Sequence, residues 1–285
     1  MDWIKGMGEA IDYIEDNLTG EIEASEAARR LNVSVFYFQK AFALLCGCTF
    51  GEYVRNRRLS LAGSELLSSD EKIIDLALKY GYDSPDSFTK AFTRFHGSTP
   101  ASVRREGGAV KSYAPLKIKL TLEGANTMEY SIKEKEAFTV IGVSKRFGFD
   151  NSTKAIPEFW GEFCQAEMSK HICGVYGICL DEDNGARDFE YLIADDYIPW
   201  KTVPDGCVAH TFEKQTWAVF PCRGPMPNSL QSTNAKIFSE WVPNCKDYEI
   251  AANITVELYS NPKDFPKHNQ DENYYCEIWI PVKKK

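Results

Sequence analysis

No apolar run in this chain approaches the roughly 18 to 20 residues of a membrane-spanning helix, and the first residues, MDWIKGMGEAIDYIEDNL, lack the basic stretch and apolar core of a secretory signal. A soluble, cytoplasmic protein is expected. Positive charge is also in short supply: 33 Lys and Arg stand against 41 Asp and Glu, for a net charge of -8. Bulk electrostatics therefore gives no hint of a nucleic-acid partner, and any such partner has to be met by a local basic patch. No C-x-x-C pair occurs among the nine cysteines, and none has a histidine at zinc-finger spacing. Neither a disulfide framework nor a metal site is indicated, and the thiols read as small hydrophobes. The four histidines, His96, His171, His210 and His268, stand in no recognisable motif, and no Ser/His/Asp or Cys/His set or phosphate-binding loop is present. No catalytic residue and no cofactor is expected.

What is present begins with length, because 285 residues suit two domains. Up to about Arg105 apolar residues recur at helical spacing, broken by short Gly, Asn or Ser punctuation. Beyond Met128 the runs FTVIGVS, FEYLIADDY, TWAVF, ITVELYS and YYCEIWIPV read as strands, while STKAIPEFWGEFCQAEM and SLQSTNAKIFSEWV read as helices. The stretch EGGAVKSYAPLKIKLTLEGAN separates the two regimes, with an extended segment at KIKLTL. The expected organisation is an all-α domain over residues 1–108, a linker over 109–126 and an α+β domain over 127–285. The second domain runs strand, helix, strand, strand twice over, which predicts two β-α-β-β repeats with a pseudo-twofold axis.

The helical region contains a repeat of its own. FQKAFALLCGCTF, from Phe38, returns as FTKAFTRFHGSTP, from Phe88, and a slide of fifty residues also places Ala27 on Ala77, Ser34 on Ser84 and Phe42 on Phe92. Each copy consists of a short amphipathic helix, a turn containing Asn32 or Gly81, a serine N-cap and a second helix, the layout of a helix-turn-helix. In the first copy Val35, Phe38, Phe42 and Leu45 form the inward stripe, leaving Phe36, Gln39, Lys40 and Ala43 outward. An exposed aromatic beside an amide and a cation suits base edges. In the second copy Phe88, Phe92 and Phe95 face inward and Ser87, Lys90 and Arg94 outward. Asp86, after the N-cap Ser84 and Pro85 at the first helical position, suits the helix dipole better than a base edge.

Between the copies a helix over about 51–67 is predicted, roughly 25 Å long at 1.5 Å per residue. With its flanking turns it can hold two recognition helices near the roughly 34 Å spacing of successive major grooves, and a rigid, short connection would bend the DNA. Arg55, Arg57 and Arg58 on this helix, with Arg104 after the second copy, supply phosphate-directed charge. Residues 1–108 nevertheless hold 13 basic against 16 acidic side chains. The acidic N-terminal helix, with Glu9, Asp12, Glu15 and Asp16, is expected to face away from DNA. The full DNA-contacting set comprises Ser34, Phe36, Gln39, Lys40, Arg55, Arg57, Arg58, Ser84, Asp86, Ser87, Lys90, Arg94 and Arg104.

On AARRLNVSVFYFQKAFALLCGCTFGEYVRNRRLSLAGSELL and KIIDLALKYGYDSPDSFTKAFTRFHGSTPASVRR, residues from about Met7 to Arg105 resemble the double helix-turn-helix domain of the AraC/XylS family of transcription regulators. That resemblance implies binding to double-stranded promoter DNA, with RNA polymerase as a further partner for an activator. It places base-reading positions on Phe36, Gln39 and Lys40, and on Pro85, Asp86, Ser87 and Lys90.

In the second domain Thr255, Glu257 and Tyr259 alternate with Ile254, Val256 and Leu258, and Tyr275, Glu277 and Trp279 alternate with Cys276, Ile278 and Ile280. Both strands thus pair an apolar face with a face of glutamates and aromatics. Such a face forms a pocket in which rings and a carboxylate select a cationic or hydrogen-bond-donating organic ligand. Trp160, Tyr191 and Trp217 complete the ligand-binding candidates Glu257, Tyr259, Tyr275, Glu277 and Trp279, and Trp241 is a further aromatic.

From about Asn126 onward the repeated layout, IPEFWGEF, FEYLIADDY and YYCEIWIPV resemble the GyrI-like effector-binding domain found in multidrug-sensing regulators. The resemblance implies an antiparallel sheet, a small organic effector and a pocket glutamate at Glu277. The leading expectation is a monomeric, ligand-responsive transcription regulator. The alternative is a small-molecule hydrolase, since some GyrI-like proteins resemble hydrolases, with Glu277 as general base beside Tyr191 or Tyr259.

Overall fold

Short polar side chains at Ser34, Thr49 and Ser84 set three of the helix starts in the first third of the chain. The computed structural model describes residues 3–106, 108–118, 127–166, 169, 171–181, 188–199 and 203–285. Helices α1 (Trp3–Asp16), α2 (Ala24–Leu31), α3 (Val35–Cys46), α4 (Phe50–Ser68), α5 (Ile73–Lys79), α6 (Pro85–His96) and α7 (Pro100–Glu106) come first. Thr49 and Glu52 close a reciprocal capping box on α4. Ser84 caps α6, with Pro85 at its first position. Asn32 and Gly81 take left-handed conformations, φ 55° and 78°, in the two expected turns.

Packing divides the chain into two units, one of Met1–Val33 with Cys46–Thr121 and the other of Ser34–Leu45 with Leu122–Lys285. Helix α3 therefore belongs to the second unit, although its fifty-residue counterpart α6 belongs to the first.

The first unit is built on α4, whose Leu59, Ala62 and Leu66 pack with Leu76, Ala77, Tyr80, Phe88, Phe92 and Val103. Two of the arginines expected to face phosphates are used inside it. Arg57 is buried and forms a two-pronged ion pair with Glu15, at 2.8 Å from Nε to Oε1 and 2.7 Å from Nη2 to Oε2. The Tyr53 hydroxyl donates to the same carboxylate at 2.6 Å. Arg58 donates to the backbone carbonyls of Leu18 and Gly20 at 2.9 and 2.6 Å, satisfying acceptors left over beyond the end of α1. The acidic α1 and the residues that follow it thus supply the partners that withdraw Arg57 and Arg58 from solvent, whereas Arg55 is exposed.

Residues 108–118, part of the expected linker, are tied to this same unit. The backbone N–H groups of Lys111, Tyr113 and Leu116 donate to His96 Nδ1, Ser60 Oγ and the Tyr53 hydroxyl at 3.0, 2.8 and 3.0 Å. Because Nδ1 of His96 accepts, its Nε2–H donates to the Leu59 carbonyl at 2.9 Å, and burial holds the ring below the ordinary histidine pKa. Residues 119–126, the rest of that linker with most of KIKLTL, lie outside the described residues.

In the second unit β1 (Ser131–Lys135), β2 (Phe138–Gly148), α8 (Ser152–Gln165), β3 (Tyr176–Leu180) and β4 (Asp188–Asp196) are followed by β5 (Val208–Phe212) and β6 (Gln215–Arg223). Helix α9 (Asn228–Lys236) continues through a π turn over Ile237–Trp241, and β7 (Tyr248–Ile250), β8 (Ile254–Tyr259) and β9 (Tyr275–Lys284) complete the unit. All pairings are antiparallel, in the order β1-β6-β9-β8-β3-β4-β2-β5 with β7 beside β9. The expected repeats are β2-α8-β3-β4 and β6-α9-β8-β9, meeting where β3 pairs β8. Each repeat also lends a strand to the other, since β1 pairs β6 and β5 pairs β2. Among the described residues no helix is long and apolar enough to cross a membrane.

Burial acts to raise the Glu15 pKa, but the hydrogen bonds from Arg57 and Tyr53 and the charge of Arg57 outweigh it and hold the carboxyl below its ordinary value. Its stabilising contribution is complete above the unfolded carboxylate pKa of about 4.3 and is lost as pH falls through the lower folded value. Glu15→Gln is expected to cost about 2 kcal/mol at pH 7, since it strands a buried arginine. It should also flatten the decline in stability below about pH 4, as urea unfolding across a pH series will show.

Candidate effector-binding site and DNA-reading surface

Residues paired across an antiparallel ladder share a face of the sheet. Glu257 pairs with Ile278, and Leu258 with Glu277. The two glutamates therefore lie on opposite faces, and the one face of glutamates and aromatics expected from β8 and β9 resolves into two sites.

The first site is on the face that carries the helices. Glu257 is 8% exposed. The hydroxyls of Tyr191 and Tyr259 donate to its Oε2 at 3.1 and 2.6 Å. From α8, Trp160 Nε1 donates to the Tyr191 hydroxyl at 3.0 Å, and the Trp160 ring meets Tyr259 edge-on with centroids 5.4 Å apart. Gly177 on β3 makes the room: a Cβ there would stand 2.2 Å from the Tyr191 oxygen and 2.9 Å from Glu257 Oε2. Burial, and then the charge of Glu257, pushes both phenols well above the usual tyrosine pKa, so they act as donors. Among the described residues the carboxylate is thus held by neutral donors, with aromatic rings beside it. A buried anion so placed is complementary to a cation with apolar surface.

Helix α3 lies against this same face. Ser34 caps it, accepting from the N–H of Tyr37 at 3.2 Å. Phe36, expected outward, is 2% exposed and meets Phe189 and Phe149 edge-on at 5.7 and 6.0 Å. The Tyr37 hydroxyl donates to the Ile254 carbonyl at 2.6 Å, and its ring lies 6.0 Å from that of Phe238. Lys40, also expected outward, donates to Thr255 Oγ1 at 3.1 Å. Phe36 and Lys40 thus face the sheet, because the aromatic rings of β4 and of the α8 approach and the hydroxyl of β8 offer them partners. Gln39 is half-buried, Phe38 and Phe42 are fully buried as expected, and Leu45, expected inward, is 38% exposed.

The second site is on the opposite face. Glu277 accepts from the Tyr275 hydroxyl at 2.7 Å and from Trp279 Nε1 at 2.5 Å, with Lys133 Nζ 4.0 Å away. Burial, and then Glu277, pushes the Tyr275 phenol up to about 12. A cavity of about 430 Å³ opens here, lined by Met128, Tyr130, Lys133, Pro221, Tyr275 and Glu277. Trp217, expected at a ligand, is a core residue beside Trp279, and Lys135 Nζ sits 4.3 Å from the Trp279 ring centre. Glu277 is not brought together with Tyr191 or Tyr259 as expected: those two phenols meet Glu257, and Glu277 meets Tyr275 instead.

In the first unit the outer face of α6 is open, with Asp86, Ser87, Lys90 and Arg94 exposed. The hydroxyls of Ser84 and Ser87 are engaged in the N-cap, where Ser84 Oγ accepts from Ser87 N–H at 3.2 Å and Ser87 Oγ donates to the Ser84 carbonyl at 2.8 Å. Arg104 is half-buried, and its Nε and Nη2 have no hydrogen-bond partner among the described residues. Sequence reasoning missed Tyr37, Gly177 and Thr255. Only Thr255 carried a signal, by sharing a strand face with Glu257 and Tyr259.

Residues 131–282 match the family model of an integron-associated effector binding protein, and residues 27–106 match a helix-turn-helix domain. The chain is 30% identical over 292 aligned positions to the right origin-binding protein of Escherichia coli (strain K12), covering 95% of this chain and 96% of that one. It is 35% identical over 98 residues to the HTH-type transcriptional activator AarP of Providencia stuartii, covering 34% of this chain and 73% of the other. The solved structure of SAV2435 bound to tetraphenylphosphonium aligns over 55% of this chain and 94% of its own, at 21% identity and a TM-score of 0.47.

Gly177→Ala tests the packing of the first site. A methyl group 2.2 Å from the Tyr191 oxygen has to displace that ring from Glu257. The substitution is expected to lower stability by about 2 kcal/mol and to shift the Trp160 emission spectrum, both read from fluorescence-detected unfolding.

Proposed function

For this chain, which belongs to the family of AraC-type DNA-binding transcription regulators with a C-terminal effector-binding domain, we propose that the buried site around Glu257 senses a small organic cation. The observation that carries this reading is a buried carboxylate satisfied by two phenols and flanked by Trp160, with no cation among its hydrogen-bond partners in the described residues. A buried carboxylate whose hydrogen-bond partners are all neutral is costly, and an entering cation reduces that cost while its apolar parts stack on the rings. The second glutamate is a weaker candidate, because Lys133 already stands beside it and its cavity is open to solvent.

The regulator's other function is DNA binding. Lys90 and Arg94, three and seven residues beyond Ser87 on one face of α6, are positioned for phosphates or guanine edges. The relatives that the chain resembles are transcription regulators, and the effector is read as a signal rather than a substrate.

Calorimetry with tetraphenylphosphonium, used as a probe for its charge and its aromatic faces, tests the sensing site. Glu257→Gln is expected to weaken binding at least tenfold, about 1.4 kcal/mol, while Glu277→Gln changes it less than twofold. The reverse ranking would move the site to the other face of the sheet. For DNA, Lys90→Ala and Arg94→Ala are each expected to weaken binding in gel shifts and to reduce the log–log salt slope by about one.

A further inference from the structure

The sheet face that holds Glu257 is already covered by part of this chain. Helix α3 lies on it with two aromatic rings and an ammonium group, the same chemistry that the site is read to select from solution. Lys40 Nζ is bonded to Thr255, which lies two residues from Glu257 on the same face of β8, a separation of roughly 7 Å. We propose that α3 is a built-in plug of the effector site, so that effector binding and DNA reading by α3 are coupled through a single equilibrium: an effector expels α3, and the expelled helix becomes available to DNA. The proposal rests on the reading of the Glu257 site as the effector site.

Two observations support it. The side chains buried by docking are the ones a reading helix has to present. With Phe36 2% exposed and Lys40 bonded to Thr255, α3 cannot offer that face to a major groove while docked. The comparison with α6 is equally specific. In the fifty-residue alignment Phe36, Tyr37 and Lys40 fall on Asp86, Ser87 and Lys90. The two helices share their inward phenylalanines and the lysine, and they differ at the two positions where α3 carries the rings that dock. Asp86, Ser87 and Lys90 are exposed. The Phe36–Tyr37 pair is therefore what distinguishes the plugging copy from the open one.

The thermodynamic consequence is reciprocal. An effector can shift α3 only by its preference for the unplugged state, and DNA bound by α3 favours effector binding by the same factor. Apparent affinities for both ligands are reduced by the fraction of molecules that are unplugged, and weakening the plug raises both.

The test uses the full chain with a duplex selected by it from a random pool. Tyr37→Phe removes the hydrogen bond to the Ile254 carbonyl, and Thr255→Val removes the acceptor of Lys40. Each is expected to tighten DNA binding about fivefold in the absence of effector, the effect of one hydrogen bond on the plug equilibrium. Tyr37→Phe should also tighten tetraphenylphosphonium binding by a similar factor. In the wild-type chain saturating tetraphenylphosphonium should accelerate hydrogen exchange of the α3 amides, a readout that needs no variant. Unchanged or weaker DNA binding by both variants, with thermal stability retained, overturns the plug. So does tetraphenylphosphonium binding that leaves α3 protection unaltered, an outcome in which the effector site itself still stands. If tetraphenylphosphonium fails to bind while both variants tighten DNA binding, the plug stands and the assignment of the effector is what falls.

Discussion

The pairing of Leu258 with Glu277 on neighbouring strands decides which side chains of the sensing unit can act together. Because side chains alternate along a strand, this register sends Glu257 to the helix-bearing face and Glu277 to the other. Glu257 thereby meets Tyr191, Tyr259 and Trp160, while Glu277 meets Tyr275, Trp279 and Lys133. A slip of one residue would have placed both carboxylates on one face, where their mutual repulsion would compete with any ligand. The separation leaves one glutamate beside a lysine and the other held by neutral donors, and that difference in charge compensation gives the two faces different chemistry.

Charge also shapes the DNA-binding unit through its internal use. An acidic α1 binds α4 through Glu15, Arg57 and Tyr53, and the residues after α1 bind it through the carbonyls that accept from Arg58. Two arginines are thereby spent on the fold, and the basic residues left on the exposed surface of this unit include Arg55, Lys90 and Arg94. Phosphate contacts from such residues give affinity that depends strongly on salt, and leave specificity to the side chains that reach base edges.

The two reading helices illustrate how a duplicated element acquires two roles. Both retain the inward phenylalanines that hold a helix-turn-helix together. Where α6 carries Asp86 and Ser87, small and polar residues suited to a helix start, α3 carries Phe36 and Tyr37, whose rings lose more by staying in water. Rings on an outward face need either a ligand or a protein surface, and in α3 they find Phe149, Phe189 and Phe238.

Much of the architecture was legible locally. The caps at Ser34, Thr49 and Ser84, the turns at Asn32 and Gly81, the long central helix and the repeated strand-helix-strand-strand order follow from short-range stereochemistry and periodicity. Strands such as β1, with the sequence SIKEK, escaped notice because their residues are charged and their pairing partners are distant in sequence. The amino-acid order alone determined that two helix-turn-helix copies precede an α+β unit, and that aromatic residues alternate with glutamates on β8 and β9. Only the tertiary structure decided that those glutamates are back to back, that Arg57 and Arg58 are internal, and that the face of α3 bearing Phe36 and Lys40 is covered. Periodicity specifies which residues share a face within one element; what that face packs against depends on register and on partners hundreds of residues away, and no local pattern encodes either.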